Sequence, residues 1–397
     1  MGKRFFSGML AAVLLMSFAA AAWAEEVTIP DVEVKQFDIP DNEAMAFIRD
    51  MKTGWNLGNT FDASDCYWLS DEMAYESAWC GVKTPEGVMD ALLAAGFQSI
   101  RIPVSWHNHL DENWVIHEDW MNRVQEVTDW AYSRGMYVIL NIHHDCDKAY
   151  YYPDSEHLEN SEAYMRTIWS QVAARFADYD EHLIFDAINE PRLKDTSYEW
   201  YWDPNNAQCQ DAMACIVKLN QVFVDTVRAA GGYNESRYLM CASYDASPWY
   251  ACEEAFTLPE DTADNRIIVS AHAYTPYDFA LNMNGTDRFS LDNSSQVADI
   301  ASFMNALYET WISKGIPVLM GEYGAMIKGD NLQDRVDWVS YYVLSARNRG
   351  MSCLWWDNNL FQGKGERFGL LNRTTLNWNA PILVDAIMRY CQSYGLK

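Results

Sequence analysis

Positive charge is scarce in this chain. It carries 29 Lys and Arg against 56 Asp and Glu, a formal net charge of -27. A surface this anionic repels nucleic acid and acidic lipid, so neither is expected as a partner. Other signals are missing as well. There is no C-x-x-C among the nine cysteines and no glycine fingerprint of a dinucleotide site, which argues against structural zinc and a nicotinamide or flavin fold. After residue 40 no Ser/Pro/Gly-rich linker, low-complexity tract or repeat interrupts the chain, so one domain is expected over 41–397 and no appended module.

The one long apolar stretch lies at the start. Lys3 and Arg4 precede a mainly apolar Gly8–Ala22, and Ala22-Trp23-Ala24 fits a cleavage site. Residues 1–24 therefore read as a signal peptide, and the protein as secreted or periplasmic. Residues 25–40, acidic and with Pro30 and Pro40, read as an extended N-terminal arm. Export permits disulfides. Spacing allows Cys66 with Cys80, Cys209 with Cys215 and Cys241 with Cys252, and the odd count leaves at least one free thiol.

Aromatics are abundant, with 17 Trp and 23 Tyr. Half are expected in the core, and the rest suit stacking on sugar faces. Eight short apolar runs read as strands: Thr53–Leu57, Gln98–Pro103, Tyr137–Ile142, Leu183–Ile188, Tyr238–Ala242, Ile267–Ala271, Val318–Gly321 and Ser352–Trp356. Between them lie windows of helical period, such as Val88, Leu92 and Ala95, or Trp120, Met121, Val124, Val127 and Ala131. Eight β-α alternations with buried strands predict an α/β fold, a closed (β/α)8 TIM barrel, over an open doubly wound sheet.

Polar and aromatic residues gather at one end of every predicted strand. They include Asn56, Arg101, His143 and His144, Asn189 and Glu190, His272 and Tyr274, Glu322, and Trp356. Random placement would scatter them over both ends. Two strand-end glutamates, Glu190 and Glu322, supply what glycoside hydrolysis needs: one carboxyl to protonate the leaving oxygen and one to attack the anomeric carbon.

Arg101, on an apolar strand, is costly to bury unpaired and is expected to orient an ionised carboxylate. Asn189 suits a sugar 2-hydroxyl, and a Tyr274 phenol can donate to Glu322. Trp356 suits a pyranose platform, whereas Trp355 faces away into packing. His143, His144 and His272 raise a metallohydrolase reading. Adjacent strand histidines face opposite ways, however, and the three have no H-x-H or H-E-x-x-H spacing. Hydrogen bonding to sugar and to carboxylates is the better assignment, with no metal.

These residues sit in Gly54-Trp55-Asn56-Leu57-Gly58-Asn59-Thr60, Arg101-Ile102-Pro103-Val104-Ser105-Trp106, Asn141-Ile142-His143-His144, Asn189-Glu190-Pro191, His272-Ala273-Tyr274, Gly321-Glu322-Tyr323-Gly324 and Trp355-Trp356-Asp357-Asn358. In that order, one per strand, they resemble glycoside hydrolase family five, most closely the endo-β-1,4-glucanases of subfamily four. The resemblance runs from about residue 41 onward. It implies a cofactor-free retaining double displacement on a β-glucan polysaccharide, with Glu190 as acid/base and Glu322 as nucleophile. Supporting, substrate-binding roles follow for Asn56, Arg101, His143, His144, Asn189, His272, Tyr274 and Trp356. A monomer is expected. β-Mannanase or xyloglucan-specific activity on the same scaffold is the alternative, and a non-catalytic glycan-binding barrel is a further one. Two aromatic-rich loops, Ser64–Cys80 and Lys194–Gln210, depart from the family pattern and are expected to flank the cleft.

Overall fold

The computed structural model describes residues 26–395. The expected signal peptide, 1–24, lies outside the described residues. Eight parallel strands close into a barrel: β1 (Thr53–Leu57), β2 (Ser99–Ile102), β3 (Tyr137–Asn141), β4 (Leu183–Asp186), β5 (Leu239–Ala242), β6 (Ile267–His272), β7 (Val318–Tyr323) and β8 (Ser352–Asp357). Pairing of β1 with β8, Thr53 opposite Cys353 through Leu57 opposite Asp357, completes the closure. The first predicted strand matches β1, and the second, third and fourth run on by one or two residues at their C-terminal ends. The later ones stopped short, so that His272, Glu322 and Asp357 belong to strands.

Side-chain alternation divides the core in two. Outward residues such as Trp55, Ile100, Leu140, Phe185, Val269, Met320 and Trp355 pack against the surrounding helices. Inward residues Ile139, Ile184, Met240, Ile268, Leu319 and Leu354 form a separate cluster inside the barrel. Helix α1 (Glu43–Met51) closes that cluster from below with Ala44, Phe47, Ile48 and Met51. Asn42 caps α1 by accepting the Met45 N–H at 2.8 Å. The N-terminal floor of the barrel is thus apolar and plugged, and polar chemistry is left to the other end.

The outer ring comprises α2 (Gly87–Ala95), α3 (Glu118–Tyr132), α4 (Leu158–Arg175), α5 (Ala207–Ala229), α6 (Ser294–Thr310), α7 (Leu332–Asn348) and α8 (Pro381–Tyr390). The alternation has one gap. Between β5 and β6 only the short 3-10 turns Tyr244–Ala246 and Tyr250–Cys252 occur. Residues 26–40 form no helix and lie on the ring. The Val32 N–H reaches the Tyr390 hydroxyl at 3.0 Å, and the Phe37 N–H reaches the Asn348 carbonyl at 3.1 Å.

All nine cysteines are free, and none of the three pairs that spacing allows is formed. Cys209 and Cys215 share α5. Six residues of helix rise about 9 Å, beyond disulfide reach. Cys241 faces the helices from β5, and Cys252 sits in a surface turn. The Cys66 and Cys80 thiols instead turn to the Ser64 carbonyl at 3.4 Å and the Val82 carbonyl at 3.2 Å.

Candidate active site

Glu322 reaches the barrel interior only because β7 is irregular. Met320 lies opposite Ala271 on β6, yet Glu322, not Gly321, lies opposite His272. On the other side, Met320 to Tyr323 spans the same length as Cys353 to Trp355. One extra residue is therefore inserted into β7, a β-bulge, and it reverses the inward/outward parity. Met320 and Tyr323 both face the helices, and Glu322 between them faces in. Gly321 is the inserted residue. A Cβ there would stand 2.9 Å from His272 Nε2.

Below Glu322 lies a fully buried ion network. Arg101 on β2 donates from Nη1 to Glu322 Oε1 at 2.7 Å and to Asn56 Oδ1 at 3.1 Å. Its Nη2 donates to Asn189 Oδ1 at 2.7 Å, and both Nε and Nη2 reach Asp186 Oδ2, at 3.1 and 3.0 Å. Burial alone would lower the guanidinium pKa, but Asp186 and Glu322 more than offset it, and the net direction is up. The other Glu322 oxygen accepts the Tyr274 hydroxyl at 2.9 Å. Burial first, and then the charges of Glu322 and Glu190, push that phenol well above its usual range, so it stays a donor.

Glu190 follows β4. Its Oε1 lies 2.9 Å from His272 Nδ1, and Arg192 Nη1 is 4.0 Å from its Oε2. Burial pushes this carboxyl up. The hydrogen bond from His272 and the charges of His272 and Arg192 outweigh burial, and the net direction is down. One oxygen each of Glu190 and Glu322 and one His272 nitrogen lie within 4.8 Å of one another.

Two cavities meet at these carboxylates. One, of about 480 Å³, is lined by Glu190 and Glu322 together with His143, His144, Asn189 and Trp356. The second, of about 830 Å³, is lined by Glu190 and His272 but not Glu322, and is walled by Trp249, Tyr250, Tyr277 and Met283. Tyr274 lines both. A surface hollow of about 660 Å³ around Tyr233 and Arg266 contains none of these groups.

The expected site residues therefore converge, with two corrections. Asn56 and Arg101 line neither cavity. Both are fully buried beneath Glu322, Asn56 donating from Nδ2 to the Gly321 carbonyl at 2.9 Å, so they position the site and do not touch a ligand. The second concerns His143 and His144. They follow β3 in a loop and are not held to strand alternation, so both reach the cleft with ring centroids 4.4 Å apart. Burial holds His143 well below the usual imidazole range, and burial with Arg192 holds His144 down at about 4, so both are neutral at pH 7. His143 lies parallel to Trp356 at 5.7 Å.

The aromatic loops divide. Trp79 and Trp200 line the cleft, Trp68 and Tyr201 are exposed, and Tyr75 and Trp202 are buried. Sequence reasoning passed over Asp186, Arg192, Asp245 and Glu366. Asp186 was detectable in principle, as a carboxylate two residues beyond the inward Ile184 in an apolar strand.

Two sets bring three ligand-type atoms together: Glu190, His272 and Glu322, and Asp62, His143 and His144. In the first, Arg101 already neutralises Glu322. In the second, each Asp62 oxygen accepts a backbone N–H, from Thr60 at 2.6 Å and Asn59 at 2.9 Å. His-x-His spacing does occur elsewhere, at His107-Asn108-His109, but its members pair separately. His107 faces Asp145 and Asp65, and His109 faces Glu72.

The family model described as cellulase, glycosyl hydrolase family 5, matches residues 61–362. Endoglucanase B of Ruminococcus albus is 41% identical over 353 residues, covering 88% of this chain and 81% of its own. Among solved structures, the family 5 lichenase from Caldicellulosiruptor sp. F32, seen in complex with cellotetraose, is 51% identical. Its TM-score is 0.91 over 92% of this chain and 100% of that one. A subfamily 4 broad-specificity endoglucanase from Ruminococcus champanellensis with bound cellotriose gives 41% identity and a TM-score of 0.81, over 89% and 100%.

Proposed function

The chain belongs to the cellulases of glycosyl hydrolase family 5, and on that premise we propose that it is an exported, retaining endo-β-1,4-glucanase worked by Glu190 and Glu322. The close approach of the two carboxylates, oxygens within 4.8 Å, carries the reading. Retaining enzymes hold their carboxyls about 5–5.5 Å apart, whereas inverting ones leave about 6.5–9.5 Å for a water.

The environments divide the labour. Glu322 accepts from Arg101 and Tyr274 on its two oxygens, which fixes its attack direction. Its carboxylate bonds to the anomeric carbon as the glycosidic C–O bond breaks, and Glu190 delivers its proton to the departing oxygen. In the second half, Glu190, now a carboxylate, takes a proton from water. The water oxygen bonds to the anomeric carbon, and the ester to Glu322 breaks. Asn189 Oδ1 is held by Arg101, which leaves its NH2 for the cavity and a sugar 2-hydroxyl.

Polarity follows from which cavity each carboxylate lines. Glu322 belongs only to the smaller cavity, so that one takes the glycone, with Trp356 as platform. The larger, which Glu190 also lines, takes the leaving sugars. Mixed-linkage glucan, cellulose and xyloglucan are the proposed substrate range, in keeping with a lichenase and a broad-specificity endoglucanase as relatives. No helix among the described residues is long and apolar enough to cross a membrane, and we infer export from the N-terminal segment and action as a monomer.

Reducing-sugar release from β-glucan, carboxymethyl-cellulose, xyloglucan and mannan tests the substrate assignment. Release from mannan alone would overturn it. Glu322→Ala is expected to abolish turnover, and azide is then expected to yield the inverted α-glycosyl azide from an activated substrate. Full activity of that variant would remove Glu322 from the mechanism.

A further inference from the structure

The two cavities share five residues: Glu190, Trp200, Tyr274, Leu281 and Glu366. On the two-glutamate reading, which this inference deepens, the scissile linkage must cross the neck that these five build. Glu190 and Tyr274 are accounted for. Trp200 and Leu281 offer apolar surface. Glu366 is a third carboxylate at the point where the bond breaks, and the mechanism so far gives it no task.

Its setting marks it as a presented side chain. It lies beyond β8 in a segment where Gly363 and Gly365 adopt left-handed φ values of 90° and 99°. Asn358 fixes its backbone, donating from Nδ2 to the Glu366 carbonyl at 2.9 Å while its Oδ1 accepts the Phe368 N–H at 3.2 Å. The residue is exposed to solvent in the cleft, where a bound glucan would cover it. Among the described residues, no cation or hydrogen-bond donor pairs with its carboxylate, whereas Glu190 and Glu322 are both engaged. Asp245 in the larger cavity is unpaired as well, but it does not reach the neck.

We propose that Glu366 is a third working carboxylate of this site, accepting a hydrogen bond from a sugar hydroxyl at the scissile linkage and opposing, by its negative charge, the loss of the Glu190 proton. The need is visible in the geometry. Glu190 is faced by His272 and Tyr274 from β6 and its loop, by His144 after β3, by Arg192 on its own segment, by Asp245 after β5, by Glu322 from β7 and by Glu366. Arg192 pulls the proton off. His144 is neutral. Burial and Glu190 push Asp245 up to about 9, so it too is neutral at pH 7. The Glu322 carboxylate is held by Arg101, which shares its single charge with Asp186. Glu366, unpaired at the neck, is the group placed to oppose His272 and Arg192. The interaction is mutual: after burial, Glu190 and then Glu322 push the Glu366 carboxyl up. Glu366 transfers no proton itself.

The test is Glu366→Gln, which keeps the shape and removes the charge, alongside Glu366→Ala. In kcat/KM against pH on β-glucan, the alkaline limb of Glu366→Gln is expected to move to lower pH by about half to one unit. On a 2,4-dinitrophenyl cellobioside, whose leaving group needs no proton, its rate of glycosyl-enzyme formation is expected to stay near that of the unaltered enzyme. Glu366→Ala is expected to raise KM on β-glucan several-fold beyond Glu366→Gln. A superposable pH profile for Glu366→Gln would overturn the inference, as would equal losses on both substrates or a lowered Tm, which would make the role structural. An unaltered enzyme inactive on β-glucan would instead bring down the two-glutamate reading itself.

Discussion

Arg101 makes five hydrogen bonds with no exposure to solvent, so any partner it loses leaves a buried donor unsatisfied. Asp186 holds two of them and shares the single guanidinium charge with Glu322. Burial pushes the Asp186 carboxyl up, with Arg101 pulling it back. Asp186→Asn is expected to lower stability by about 3 kcal/mol, the scale of breaking one side of a buried pair. It is also expected to lower kcat far more than it raises KM, since Arg101 would no longer be aimed at Glu322. Unchanged kcat together with a lowered Tm would make Asp186 a fold residue only. The sequence pointed to Arg101 because an arginine in an apolar strand needs a partner. It did not point to Asp186, because a single aspartate near a strand end is equally at home in a loop.

At the level of elements, the eight strands were legible because a barrel buries both faces of each, and continuous apolar runs between helical windows announce that. The bulge in β7 was not. Alternation counted from the outward Met320 would turn Glu322 out into the helices. Only the partner strands, with Ala271 opposite Met320 and His272 opposite Glu322, reveal the inserted residue. Gly321→Ala is expected to displace His272, and with it the hydrogen bond to Glu190, lowering kcat at least tenfold with the fold retained. A crystal structure with His272 unmoved would contradict this.

The loop after β2 offers a second prediction. His107 sits between Asp145 at 2.6 Å and Asp65 at 3.2 Å, tying the loops after β1, β2 and β3 together. Burial lowers its pKa, but the two carboxylates outweigh this and raise it to about 9. A folded-state value above the unfolded one stabilises fully below about pH 6.5, and the contribution is lost as pH rises through about 9. His107→Gln is therefore expected to lower Tm strongly at pH 6 and much less at pH 9.5. Equal losses at both pH values would refute the ion-pair role.

Over the whole molecule, the charge of -27 governs approach more than chemistry. Carboxymethyl-cellulose is itself anionic, so kcat/KM on it is expected to rise with salt from 10 to 200 mM, while the value on neutral β-glucan stays flat. A rise on both would point to an effect on the enzyme itself. The overall architecture and the convergence of strand ends were legible because they repeat eight times. The loops were less so, because aromatic content does not say which rings face the cleft. Trp200 lines it and Trp202 is buried, although both belong to one short segment. Glu366 was invisible for the same reason: a glutamate just after two loop glycines looks like surface until the two cavities meet at it.

The most direct test of the two-glutamate mechanism is the anomeric configuration of the first product, followed by proton NMR as cellotetraose or a longer glucan is cleaved. Retention predicts that the β-anomer forms first and then mutarotates toward equilibrium. An α-anomer appearing first would contradict double displacement through Glu322, whatever the distance between the carboxylates.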